Sequence, residues 1–116
     1  GLIRLPRVIP RNLAMEMALT GDPISAETAH QHGVVNRLVE AGGALDSALS
    51  LAAEIGANAP LAVRASRQVI VEGGLLDDDA AFALSAEASR AVFRSEDFQE
   101  GPRAFIEKRP PNWQGR

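Results

Sequence analysis

Cysteine and tyrosine are absent from this chain, and aromatic residues make up only 4% of its 116 residues. Without thiols there is no disulfide, no thiolate metal site and no cysteine nucleophile, a pattern that fits a reducing compartment and a cytoplasmic location. The scarcity of aromatic residues beside abundant alanine favours closely packed helices over a sheet, which wants β-branched and aromatic side chains. Missing too is any apolar run near the roughly 20 residues needed to cross a bilayer. The start shows no basic stretch leading into an apolar one, as a secretory leader would. A formal net charge of −3 and a pI of about 5.3 supply no global field to attract nucleic acid or an anionic membrane. The nucleophile elbow, the phosphate-binding loop, the dinucleotide fingerprint and the zinc-binding H-E-x-x-H are all absent.

What is present is a succession of short amphipathic helices. One domain is the natural expectation for this length, with enough surface left exposed for a partner or an oligomer to matter. After an extended lead-in with Pro6 and Pro10, the spacing predicts a helix over about Asn12–Leu19, capped by Asn12 and closed by Gly21. Ser25 is the expected N-cap of a second helix, Ala26–His32, ended by Gly33. Val34–Val39 is the one β-like run and reads as an edge or isolated strand. Gly42-Gly43 breaks the pattern, and a third helix follows over about Ala44–Ala57 with Leu45, Ala48, Leu49, Ala52 and Ile55 on one face. A fourth starts at Pro60 and is expected to bury Ala62, Ala65, Val69, Val63 and Ile70, with Gly73-Gly74 closing it. The longest begins at Asp77-Asp78-Asp79, whose carboxylates suit a helix N-terminus, and places Ala81, Leu84, Ala88 and Ala91 on a small-residue seam. Ser95 ends that helix and caps a last one carrying Glu100, Ala104 and Phe105. The tail from Pro110 is irregular. The fold expected is mainly α, five to six helices with at most one short strand.

Candidate chemistry is sparse. His30 and His32 lie two apart on a helix, so they point in different directions and cannot share an ion as i, i+4 histidines do; no metal ligand is assigned. Glu27, Glu54, Glu72 and Glu87 sit on solvated helix faces with no partner at a spacing that implies acid–base work. The segment Ser95 to Pro111 is the informative one. Lys108 and Arg109 there either complement the negative end of a helix or form a terminal basic pair that takes a phosphate, lysine as a mobile point charge and arginine as a fork. The residues alone leave both open.

The run Asp97, Glu100-Gly101, Ala104-Phe105 and Glu107-Lys108-Arg109 resembles the "D…EG..AF.EKR.P" ending of the crotonase superfamily, the enoyl-CoA hydratase/isomerase family. Three earlier blocks resemble it in the same order: Arg4-Leu5-Pro6-Arg7; Ala14-Met15-Glu16-Met17-Ala18-Leu19-Thr20-Gly21 with Ile24-Ser25-Ala26, Ala29 and Gly33-Val34-Val35-Asn36; and Ala59-Pro60-Leu61-Ala62. Together they span almost the whole chain. The resemblance implies the helical C-terminal region of the crotonase spiral fold, with residues 1–43 ending the spiral core and residues 44–116 forming a trimerisation and CoA-site region. It implies a parent enzyme that hydrates or isomerises an enoyl-CoA, an acyl-CoA substrate, no separate cofactor, a homo-oligomer (trimer or hexamer), and no nucleic-acid or membrane partner. Gly1 falls at the end of the family's glycine-rich "GG..RL" stretch, and no initiator methionine precedes it. The oxyanion-hole donors and acid–base glutamates are expected upstream, so no catalytic residue is assigned. Lys108 matches the family lysine that reaches the CoA phosphate end. Where some members carry an aromatic that stacks near the adenine, Ser89 stands here, and serine cannot stack. The alternative is a non-catalytic helical interaction module derived from the same fold.

Overall fold

The computed structural model describes residues 1–116 and shows six α-helices and one 3₁₀ turn, with no β-strand. The chain forms two compact units, residues 1–49 and 50–116, which meet inside the third helix.

In the first unit a 3₁₀ turn, Leu5–Arg7, precedes α1 (Arg11–Thr20) and α2 (Ala26–Gln31). Asn12 is not the cap of α1. The helix starts one residue earlier because Pro10, locked near φ −51°, offers its carbonyl to the Ala14 N–H at 3.1 Å. At its other end Gly21 turns left-handed at φ 78° and donates to Met17. Ser25 caps α2 as expected, its Oγ accepting from the Thr28 N–H at 3.1 Å. Gly33, at φ 75°, closes α2: its N–H reaches His30 and the Val34 N–H reaches back to Ala29. That pair of bonds is the Schellman arrangement, which satisfies carbonyls a helix end leaves unpaired. Val34–Val39 forms no strand. A strand needs a neighbour for its ladder of N–H and C=O groups, and this chain supplies none.

α3 (Ala44–Gly56) passes from the first unit into the second. Its stripe, Leu45 and Leu49 and Ile55, is exposed. The second unit is built on the antiparallel pair α4 (Pro60–Gly73) and α5 (Asp78–Phe93), which form the broadest helix contact in the chain. Small residues permit the approach: a β-carbon placed on Gly73 would meet the Ala81 β-carbon at 3.8 Å. Ala62, Val63, Ala65 and Val69 of α4 are half-buried, as are Ala81, Leu84 and Ala88 of α5. Ile70 turns outward and is exposed, as is Ala91, so the buried faces are narrower than periodicity predicts. Asp77 caps α5, its Oδ1 accepting from Ala80 at 2.9 Å, and Asp78 and Asp79 occupy the first turn. Ser95 both ends α5 and caps α6 (Glu96–Glu107). Its hydroxyl donates to Val92 and accepts from the Phe98 N–H.

The core is small. Ile9, Ala14 and Ala104 are the apolar residues that are truly buried.

Candidate functional site

The C-terminal half of α6 and the residues after it carry most of the polar organisation of the second unit. α6 ends at Glu107, and Lys108 adopts the left-handed conformation, φ 53° and ψ 41°. Its N–H donates to Phe105 at 3.3 Å and the Arg109 N–H to Ala104 at 3.1 Å, a second Schellman closure. The Arg109 guanidinium then folds back on the helix. Nη1 and Nη2 fork onto Glu100 Oε1 and Oε2 at 2.5 and 3.0 Å, and Nε reaches Glu107 Oε2 at 2.6 Å. Glu100 Oε1 also accepts the Asn112 N–H at 2.7 Å. Lys108 stays exposed and its ammonium has no hydrogen-bond or ion-pair partner.

The terminal basic pair is therefore split. Arg109 spends its fork on two carboxylates of its own chain, and Lys108 alone presents an unneutralised charge at the end of α6. Sequence inspection missed this division. Glu100 lies nine residues before Arg109, beyond any local pairing rule, although the i, i+4 pair Arg103–Glu107 at 2.9 Å in the same helix is of the readable kind.

The irregular tail is docked by the opposite end of α6. Asp97, buried and in the first turn, accepts the Gln114 N–H at 2.6 Å and the Gly115 N–H at 2.9 Å. The Glu96 N–H donates to the Arg116 carbonyl at 2.7 Å, satisfying a donor that the helix itself leaves unpaired. Trp113, the single tryptophan, donates its indole N–H to Ala57 at 2.8 Å and lies against Gly101, where a β-carbon would meet the ring at 3.4 Å.

This wiring decides what the carboxylates can do. The Arg109 fork first, then the Asn112 N–H, holds Glu100 down to about 2 from an ordinary 4.5. Glu107 is lowered by Arg109 and then Arg103, and Glu27 by its own backbone N–H and then Ser25. A general base or acid working near neutrality needs the opposite shift. These groups are structural acceptors. The sign gives a testable pH window. Because the folded value of Glu100 lies below the unfolded one, its contribution is complete above about 4.5 and is lost as pH falls toward about 2. Trp113 emission is expected to stay constant from neutral pH to about 5 and to shift red below about 4.5, and Glu100→Gln to blunt that acid transition.

The remaining candidates fall elsewhere. Ser89, half-buried on α5, lines a groove of about 370 Å³ between α4 and α5 with Ala62, Val69 and Phe93. His30 Nδ1 lies 3.3 Å from the Val35 carbonyl and His32 is the C-cap of α2. No group of three or more His, Asp or Glu side chains is arranged to hold a metal ion.

The helical architecture, the closing sequence of α6 and the lone lysine after it define a recognisable class. The chain belongs to the enoyl-CoA hydratase/isomerase family, whose model matches residues 1–116. It is 45% identical over 114 residues to the enoyl-CoA hydratase EchA19 of Mycobacterium tuberculosis, covering 98% of this chain and 43% of that protein. It is 39% identical to the carnitinyl-CoA dehydratase of Salmonella arizonae, covering 99% of this chain and 46% of that one. The crystal structure of an enoyl-CoA hydratase from Mycobacterium tuberculosis superposes with a TM-score of 0.94 at 49% identity, over all of this chain and 46% of the other. The chain thus spans less than half the length of these relatives, and its helices are those of the crotonase fold's helical C-terminal region. No helix is long and apolar enough to cross a membrane.

Proposed function

We propose that this chain is the part of an enoyl-CoA hydratase or isomerase that builds the subunit interface and one wall of the CoA site, with Lys108 as the residue that meets a CoA phosphate. The whole enzyme, on this reading, adds water across the α,β double bond of an acyl-CoA thioester or shifts that bond. The helical part provides binding and assembly while the proton-transfer groups lie outside residues 1–116. Residues 1–43 complete the spiral core, and 44–116 carry the interface and the phosphate contact. Trimers or hexamers are the assembly this reading expects, in a cytoplasmic setting and without a separate cofactor.

The observation that carries the reading is the unpaired ammonium of Lys108, exposed at the end of α6 directly beside an arginine held by Glu100 and Glu107. An unneutralised lysine at a fixed turn is a point charge available to an anion. Supporting it, the lowered carboxylates leave the same face without an acid–base pair of its own. Titration of coenzyme A into the protein tests it. Lys108→Ala is expected to weaken binding about tenfold, the scale of one charge-assisted contact. Equal affinity in the two proteins removes Lys108 from the site.

A further inference from the structure

Three helix ends in this chain close on a left-handed residue. Two use glycine, Gly21 and Gly33, and the third uses Lys108. A β-carbon in that conformation carries a steric penalty that glycine escapes, so a lysine there is the costlier choice for closing a helix. Such a conformation persists where the surroundings over-determine it, and it gathers at places where a side chain is needed. The surroundings of Lys108 do over-determine it. The Schellman bonds fix the turn from the helix side. From the other side Arg109 is held by Glu100, whose side chain is only 16% exposed, and by Glu107. Glu100 in turn grips the chain again at the Asn112 N–H. In the run Glu107-Lys108-Arg109, the two flanking residues are tied to each other and to the helix, while the central ammonium has no partner.

We propose that Glu100 and Arg109 are positioning residues for Lys108: their ion pair locks the left-handed turn and so sets where its ammonium meets a phosphate of coenzyme A. The inference rests on the reading of Lys108 given above and adds the device that fixes it. Lysine is otherwise a flexible point charge, and binding through it loses affinity to the ordering of its stem and backbone. A turn held rigid before the ligand arrives removes the backbone share of that loss. Arg109 acts through Lys108 and does not need to touch the ligand, since four of its five N–H donors are engaged within the chain.

A four-protein cycle tests this by calorimetric titration of coenzyme A into the parent, Glu100→Gln, Lys108→Ala and the double variant. Glutamine keeps the shape of Glu100 and an acceptor for Asn112 but ends the charged fork. Glu100→Gln is expected to weaken binding about fivefold in the parent and to have no further effect once Lys108 is alanine, because both changes act through one contact. A role in folding alone gives a loss that repeats undiminished in the Lys108→Ala background, and that result, or no loss at all, overturns the proposal. The two readings fail separately. Unchanged binding in Lys108→Ala sinks the phosphate assignment, whereas a loss there with none in Glu100→Gln sinks only the positioning device. If Glu100→Gln does not fold, Glu107→Gln takes its place, since Glu107 is 42% exposed and touches the same guanidinium. It is expected to show a smaller loss, about twofold, with the same dependence on Lys108, and an independent loss counts against the device.

Discussion

Asp97→Ala is expected to cost about 2–4 kcal/mol of stability. Asp97 is 3% exposed and its carboxylate accepts two backbone N–H groups, from Gln114 and Gly115. Removing it leaves both donors to be desolvated unpaired or forces the tail to undock, which takes with it the Trp113–Ala57 bond and the cap that the Arg116 carbonyl places on α6. The position in the first turn adds a smaller helix-dipole contribution, on the order of 0.5 kcal/mol. Asp97→Asn retains one acceptor oxygen and is expected to lose about half as much. Trp113 emission during denaturant unfolding reads both variants, and a change in Asp97→Ala smaller than about 0.5 kcal/mol is incompatible with the docking described.

The second large effect concerns assembly. Ile70 is 75% exposed, Phe82 74%, Phe105 86% and Ile106 78%, while full burial is confined to a few small or mid-sized residues. Covering one such side chain contributes roughly 1.5–3 kcal/mol, so covering three or four approaches the whole stability of a small domain. Soluble monomers rarely leave that much apolar surface open. The 12.3 kDa chain is therefore expected to self-associate in light scattering and to melt broadly, with Phe82→Glu shifting the distribution toward smaller species. A monodisperse 12.3 kDa monomer that melts in one sharp cooperative step contradicts this.

Much of the helical layout is legible in the residues because its signals are local. Ser25 and Ser95 cap the helices expected of them, the acidic run Asp77–Asp79 opens α5 with Asp77 as its cap, and Gly21 and Gly33 close the first two. Asn12 misled because the carbonyl of Pro10, two residues earlier, starts α1 without any side-chain cap. Val34–Val39 misled because β-propensity describes a fit to a neighbouring strand, which is a tertiary condition. Ile70 obeys the helical period yet faces outward, since periodicity marks an apolar face without saying what covers it. Lys108, the proposed phosphate contact, is marked in the sequence by its family motif. The Arg109–Glu100 fork and the Asp97 clamp join residues nine to eighteen apart across an irregular tail, where no spacing rule reaches. A single tryptophan in a chain so poor in aromatics was the one available hint that the tail is anchored.

The most direct measurement is an enoyl-CoA hydration assay on the purified 116-residue chain, following the absorbance of the conjugated thioester. The expected rate equals that of buffer, because Glu100 and Glu107, the carboxylates nearest Lys108 in sequence, are both committed to Arg109. Turnover above that background by residues 1–116 alone would place the chemistry inside these helices and contradict the division of labour proposed for them.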